Sequence, residues 1–132
     1  MSYWLVKTEP EEYSFNDFIS DTNVVWDGVR NYQARNNLKA MRKGDKVLVY
    51  HSGKIKEIVG IAEVIKEHYL DPNDKSNTWV VVELKAVNKL KKTITLNQIK
   101  HEKSLSNMPL LKQSRLSVMP ITKNQYDVIV SF

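Results

Sequence analysis

Lys46-Val47-Leu48-Val49-Tyr50-His51 is an apolar, valine-rich run between Gly44-Asp45 and Ser52-Gly53-Lys54, and it opens a series of three strands. The other two are Ile58 to Tyr69 and Thr78 to Val87, separated by the polar loop Asp71-Pro72-Asn73-Asp74-Lys75-Ser76-Asn77. Gly60, inside the second strand, predicts a bulge or a close backbone approach. Outward from this centre, Tyr3-Trp4-Leu5-Val6-Lys7 reads as a further strand stopped by Glu9-Pro10, and Val24-Val25-Trp26 as a brief one ending at the Asp27-Gly28 turn. Ser14 with Asp17 forms a capping-box pattern that opens a short helix to about Ile19; Thr95 with Gln98 and Thr122 with Gln125 open two more. A longer helix is expected from about Asn31 to Arg42, closed by Lys43-Gly44-Asp45 with glycine just past its end. Leu110 to Val118 mixes apolar and polar residues without a clear period and is read as an extended stretch. Twisted strands with short helices between them give an α+β fold, a small, partly closed, curved β-barrel of five to six strands. Closure would remove the exposed edges of such strands.

The chain has 132 residues, the size of one domain, and no repeat or linker divides it, so residues 1–132 are expected to form a single domain. It has no cysteine, which excludes disulfides, thiolate metal sites and thiol nucleophiles. Its longest apolar runs, Val47 to Tyr50 and Trp79 to Val82, are far short of the ~20 residues of a membrane helix. The first ten residues read as a strand rather than a signal peptide. A soluble, cytoplasmic protein is therefore expected. The abundance of Lys, Asn and Ile is compatible with a bacterial source, where nucleoid association would follow from a basic surface.

Net charge is +5, but its distribution carries more information. Residues 30–56 hold eight basic residues and one acid, Asp45, and residues 85–115 hold eight and one, Glu102. The remainder has 4 basic residues against 13 acidic ones. Such segregation makes a basic face, suited to a polyanion or, more simply, to solubility. On the expected helix, Ala34, Leu38 and Met41 form one apolar stripe for the core. The opposite face carries Tyr32, Arg35, Asn36, Lys39 and Lys43 without a single acid, whereas a merely solvated helix face usually mixes both signs. Trp26 is either core or the wall of a stacking pocket; Trp4 has the same two readings, with core favoured.

No motif for metal binding, nucleophilic catalysis or triphosphate binding occurs: there is no HExxH, no nucleophile elbow and no phosphate loop. His51 lies at a strand end next to Ser52, and His68 and His101, remote in sequence, have no local carboxylate companion at ligand spacing. No metal, no cofactor and no catalysis are expected.

Tyr3-Trp4-Leu5-Val6-Lys7-Thr8-Glu9-Pro10 resembles the opening motif of the EVE domain family. So does Val25-Trp26-Asp27-Gly28-Val29-Arg30-Asn31-Tyr32-Gln33-Ala34-Arg35-Asn36. Tyr50-His51-Ser52, Val59 to Val64 and Gln113 to Val118 resemble further blocks in the same order. The resemblance implies one EVE domain of PUA-like fold over residues 1–132, related to YTH, ASCH and SRA domains. It implies a reader of a modified base, with 5-methylcytosine or 5-hydroxymethylcytosine in DNA as the leading candidates. The partner is then nucleic acid, DNA preferred over RNA, with no membrane; the oligomeric state is left open. For base binding the matching motifs point to Trp26, Asp27, Asn31, Tyr32, Asn36, Ser52 and Ser114, and for phosphate binding to Lys7, Arg30, Arg35, Lys39 and Arg115. Two rivals remain beside this reading. One is an RNA-binding module. The other is an ASCH-like amidohydrolase or nuclease using an acid–base pair such as Lys7 and Glu9.

Overall fold

In the computed structural model, which describes residues 1–132, six strands form one mixed sheet. They are β1 (Tyr3–Thr8), β2 (Asn23–Trp26), β3 (Lys46–His51), β4 (Glu57–Leu70), β5 (Val80–Thr95) and β6 (Val118–Ile121), hydrogen-bonded in the order β2-β5-β4-β3-β1-β6. The connections contain α1 (Phe15–Asp21), α2 (Tyr32–Ala40), α3 (Leu96–Lys100), α4 (Pro109–Lys112), α5 (Lys123–Val130) and a 3-10 turn at Lys103–Leu105. Only β1 and β3 pair in parallel. Parallel neighbours need a long crossover. The segment between them supplies it, carrying α1, β2 and α2.

The strand order is linear, with β2 and β6 at its ends, so the hydrogen-bond ladder does not close. The sheet is nevertheless strongly curved. A helix of nine residues, about 13 Å long, packs on β5 near one end of that order and on β6 at the other. Register shifts at four places along β4–β5 supply bend and twist. The open edges are protected by shortness: β2 and β6 have four residues each, and β6 carries Pro120.

The core is a cluster of 31 buried residues that includes the α2 stripe Ala34, Leu38 and Met41. Trp4 belongs to it. Its indole Nε1 donates to Oδ2 of the buried Asp45 at 2.9 Å, and that carboxylate also accepts from the backbone N–H groups of Ser2 and Arg42. Gly60 combines both expected roles. The β3–β4 and β4–β5 registers shift beside it, and a methyl group there would lie 2.3 Å from the Phe15 ring.

Three local expectations need correction. The helix ends at Ala40, because Met41 turns extended to bury its side chain and Asp45 captures the Arg42 N–H. Gly44 (φ +94°) therefore serves the turn into β3, donating to the Val64 carbonyl, rather than capping the helix. The third strand runs on to Thr95 through exposed lysines: it pairs with β4 as far as Lys89 and again at Ile94 and Thr95, across a register shift that spans residues 90–93. Leu110 to Val118 is not extended throughout: Pro109 starts the short α4, which buries Leu110, and the extended backbone begins at Val118. No helix is long and apolar enough to cross a membrane.

Candidate functional site

The curled sheet brings its two open edges near one another, and a cleft of about 460 Å³ occupies the seam. One wall is the end of β1, Lys7-Thr8-Glu9, with Ser117 ahead of β6; the other is β2 and the turn that follows it, Val24 to Arg30. Glu12 and Tyr13, leading into α1, complete the lining.

Each wall is fixed by an identifiable device. The entrance to α1 has a full capping box between Ser14 and Asp17, and Tyr13 packs on Phe18 across it as a hydrophobic staple, ring centroids 6.4 Å apart. This sets Tyr13 edge-on to Trp26 at 6.5 Å, while Trp26 packs on Phe18 at 5.7 Å. Trp26 belongs to the core, 8% exposed, and it also lines the cleft. The turn after β2 passes through Gly28 (φ +77°), a conformation that favours glycine. Asp71, whose side chain is wholly buried, clamps this turn. It accepts from Arg30 Nη1 at 3.0 Å, from Gly28 N–H at 3.4 Å and from Asn73 N–H at 2.8 Å. Burial alone pushes the Asp71 carboxyl up, but these N–H groups and the guanidinium outweigh it and hold the pKa below the ordinary value.

Lys7 lies in the opposite wall, its Nζ donating to the Ser114 carbonyl at 2.9 Å and standing 5.8 Å from the Tyr50 ring centre. Partial burial lowers its pKa. Glu9 covers Gly53 (φ +91°): a Cβ there would meet the Glu9 carboxylate. The cleft therefore combines one indole wall, valine side chains, two cations at the rim and three carboxylates, Glu9, Glu12 and Asp27. Such a lining repels phosphate and offers acceptors to an amino-bearing ring.

Of the residues singled out from the sequence, Lys7, Trp26, Asp27 and Arg30 meet in this cleft. Asn31, Ser114 and Arg115 line a neighbouring hollow, joined to the cleft by the Lys7–Ser114 hydrogen bond. There Asn31 is already engaged as the N-cap of α2, accepting from Ala34 N–H at 2.9 Å. Tyr32, Arg35 and Asn36 lie outside the cleft on the surface of α2, where Asn36 Oδ1 accepts from Arg35. Lys39 is exposed further along α2, and Ser52 sits behind the cleft, its N–H donating to Thr8. Tyr13, Asp71 and Trp79 were not singled out. The staple position, one residue before an N-cap Ser, was a readable signal for Tyr13. Asp71 and Trp79 looked like loop and strand residues and gave none.

A family model described as the EVE domain matches residues 2–132. The chain belongs to the EVE domain family. Mouse thymocyte nuclear protein 1 is 35% identical over 164 residues, covering 98% of this chain and 73% of the mouse protein. The NMR structure of Rpa0253 from Rhodopseudomonas palustris is 44% identical with a TM-score of 0.94, covering 99% of this chain and 92% of that one. The crystal structure of the human THYN1 protein in complex with 5-methylcytosine-containing DNA is 33% identical with a TM-score of 0.92, covering 99% and 96%. In this EVE domain the two longest motif blocks, Tyr3 to Pro10 and Val25 to Asn36, supply the two facing walls of the cleft.

Proposed function

We propose that the protein is a nucleic-acid-binding reader that takes a modified cytosine, 5-methyl- or 5-hydroxymethylcytosine in DNA, into the seam cleft without catalysing a reaction on it. The observation that carries this reading is the human THYN1 complex with 5-methylcytosine-containing DNA, whose protein matches 99% of this chain at 33% identity.

The lining suits that ligand. The cleft lies in the ~300–1,000 Å³ range of small-ligand sites. A base enters such a site only after leaving the stack, and it is then held between side chains and read at its edge. Trp26 offers the ring wall, and Val24, Val25 and Val29 offer apolar contact to a 5-methyl group. The Asp27 carboxylate accepts from the exocyclic amine, as acids do when reading cytosine. Phosphate is kept outside, where Lys39 and Arg115 make no hydrogen bond or ion pair within the chain and remain available to the backbone. Lys7 and Arg30, already held at the rim, stand between base and backbone.

The test is a titration with matched DNA duplexes carrying cytosine, 5-methylcytosine or 5-hydroxymethylcytosine at one position, at two salt concentrations, with matched RNA alongside. A modified-base preference that persists at higher salt and is lost in Trp26→Ala is expected, with the DNA recovered chemically unchanged. Equal, salt-labile binding of all duplexes would overturn the reading.

A further inference from the structure

Two aromatic side chains that the cleft does not use meet on a second surface beside it. Tyr32, at the start of α2, is 62% exposed, and its ring centre lies 4.9 Å from that of Trp79. Neither residue belongs to the core cluster or packs against it. A guanidinium stands by each ring: Arg35 is 5.0 Å from the centre of Tyr32, and Arg30 is 5.8 Å from that of Trp79. Both arginines are held in place. Arg30 is tied to the buried Asp71 and the Val29 carbonyl, and Arg35 to the Thr78 carbonyl and Asn36 Oδ1. Arg30 also lines the cleft, so the two places share a side chain.

We propose that Tyr32 and Trp79, bracketed by Arg30 and Arg35, form a stacking subsite for a second, unpaired nucleobase adjoining the one in the cleft. The proposal rests on the nucleic-acid reading above and adds a site to it. Aromatic faces next to fixed guanidiniums match a ligand that alternates flat rings with negative charge. An acidic peptide would engage Arg35 but leave the rings uncovered, and an apolar partner would bury that cation, Arg30 being already paired with Asp71. The helix that carries Tyr32 and Arg35 has no acid to repel a phosphate. Stacking does not depend on hydrogen-bond readout, so the subsite adds affinity with little sequence preference.

The experiment uses single-stranded DNA probes with one central 5-methylcytosine, flanked either by thymidines or by abasic residues of equal phosphate count. Wild-type protein is expected to bind the thymidine-flanked probe about tenfold more tightly. Tyr32→Ala, at an exposed position, is expected to erase that difference while keeping the preference for methylated over unmodified probe; Tyr32→Phe, which keeps the ring, restores it. Trp26→Ala is expected to do the opposite. The proposal is overturned if wild type does not distinguish the flanks, or if Tyr32→Ala still does. Wild-type protein that discriminates the flanks but shows no preference for the methylated probe would sink the cleft reading and leave this subsite standing.

Discussion

Gly60 and Phe15 form a contact that one methyl group would break. The Phe15 ring, buried at the start of α1, sits so close over β4 that a Cβ on Gly60 would overlap it at 2.3 Å. The backbone of Gly60 needs no left-handed φ, so its substitution costs through overlap alone. Gly60→Ala is therefore expected to lose about 1–3 kcal/mol of stability, the range of overpacked cores, read as a lower urea midpoint at unchanged slope. Phe15→Leu costs stability by itself but should recover part of the loss in the double variant, because the two changes act on one contact. Additive losses would show that the ring has room to move. The sequence indicated that something crowds Gly60 but not what, since Phe15 arrives from a distant helix and only the fold brings the two together.

The elements that frame the cleft are joined by a few polar contacts, and these are titratable. His51, at the end of β3, accepts from the Phe15 N–H through Nε2 at 3.0 Å, which ties the first turn of α1 to the sheet. Burial lowers its pKa below the ordinary 6.5, against the opposing pull of Glu57 and Glu9. Protonation would turn the acceptor into a donor facing a donor. As pH falls, the unfolded chain takes up this proton first, so stability is complete above about 6.5 and declines from there toward the lower folded value. His51→Gln keeps an acceptor that does not titrate, and its urea midpoint should be flatter than wild type just below pH 6.5. A wild-type midpoint unchanged across that interval would mean that the hydrogen bond does not couple α1 to β3. The turn after β2 has its own anchor in Asp71. Replacing it with Asn removes the ion pair to Arg30, and amide exchange should quicken at Gly28 to Arg30 while β3 keeps its protection. Equal exchange in both proteins would mean the turn holds itself. The capping boxes at Ser14, Thr95 and Thr122 were legible because they are local, their partners three positions apart. Asp71 was not. It lies in a loop of turn formers, and its partners Gly28 and Arg30 are remote in sequence.

Across the whole molecule, the basic excess of residues 30–56 and 85–115 divides into charges that the fold consumes and charges that it leaves free. Arg30 is paired with Asp71, Arg42 with Glu67 and Lys46 with Glu63, each acid coming from outside the two basic stretches. A tally of charge along the chain shows the excess but cannot tell a paired lysine from a free one, because pairing is decided by which strands become neighbours. Free charges should dominate the salt dependence of binding, since only a cation that meets phosphate releases counterions. In a plot of log affinity against log salt, each phosphate contact with duplex DNA contributes a slope of about −0.9. Lys39→Ala and Arg115→Ala are each expected to flatten the plot by about that amount, with the modified-cytosine preference unchanged. Lys46→Ala is the control: its ammonium already lies 2.8 Å from Glu63, and the slope should stay as in wild type. A second set, Lys89→Ala and Lys92→Ala, samples the exposed far half of β5, away from the cleft residues. If those variants flatten the plot and Lys39→Ala does not, the backbone runs along β5 and the acid-free face of α2 serves solubility alone.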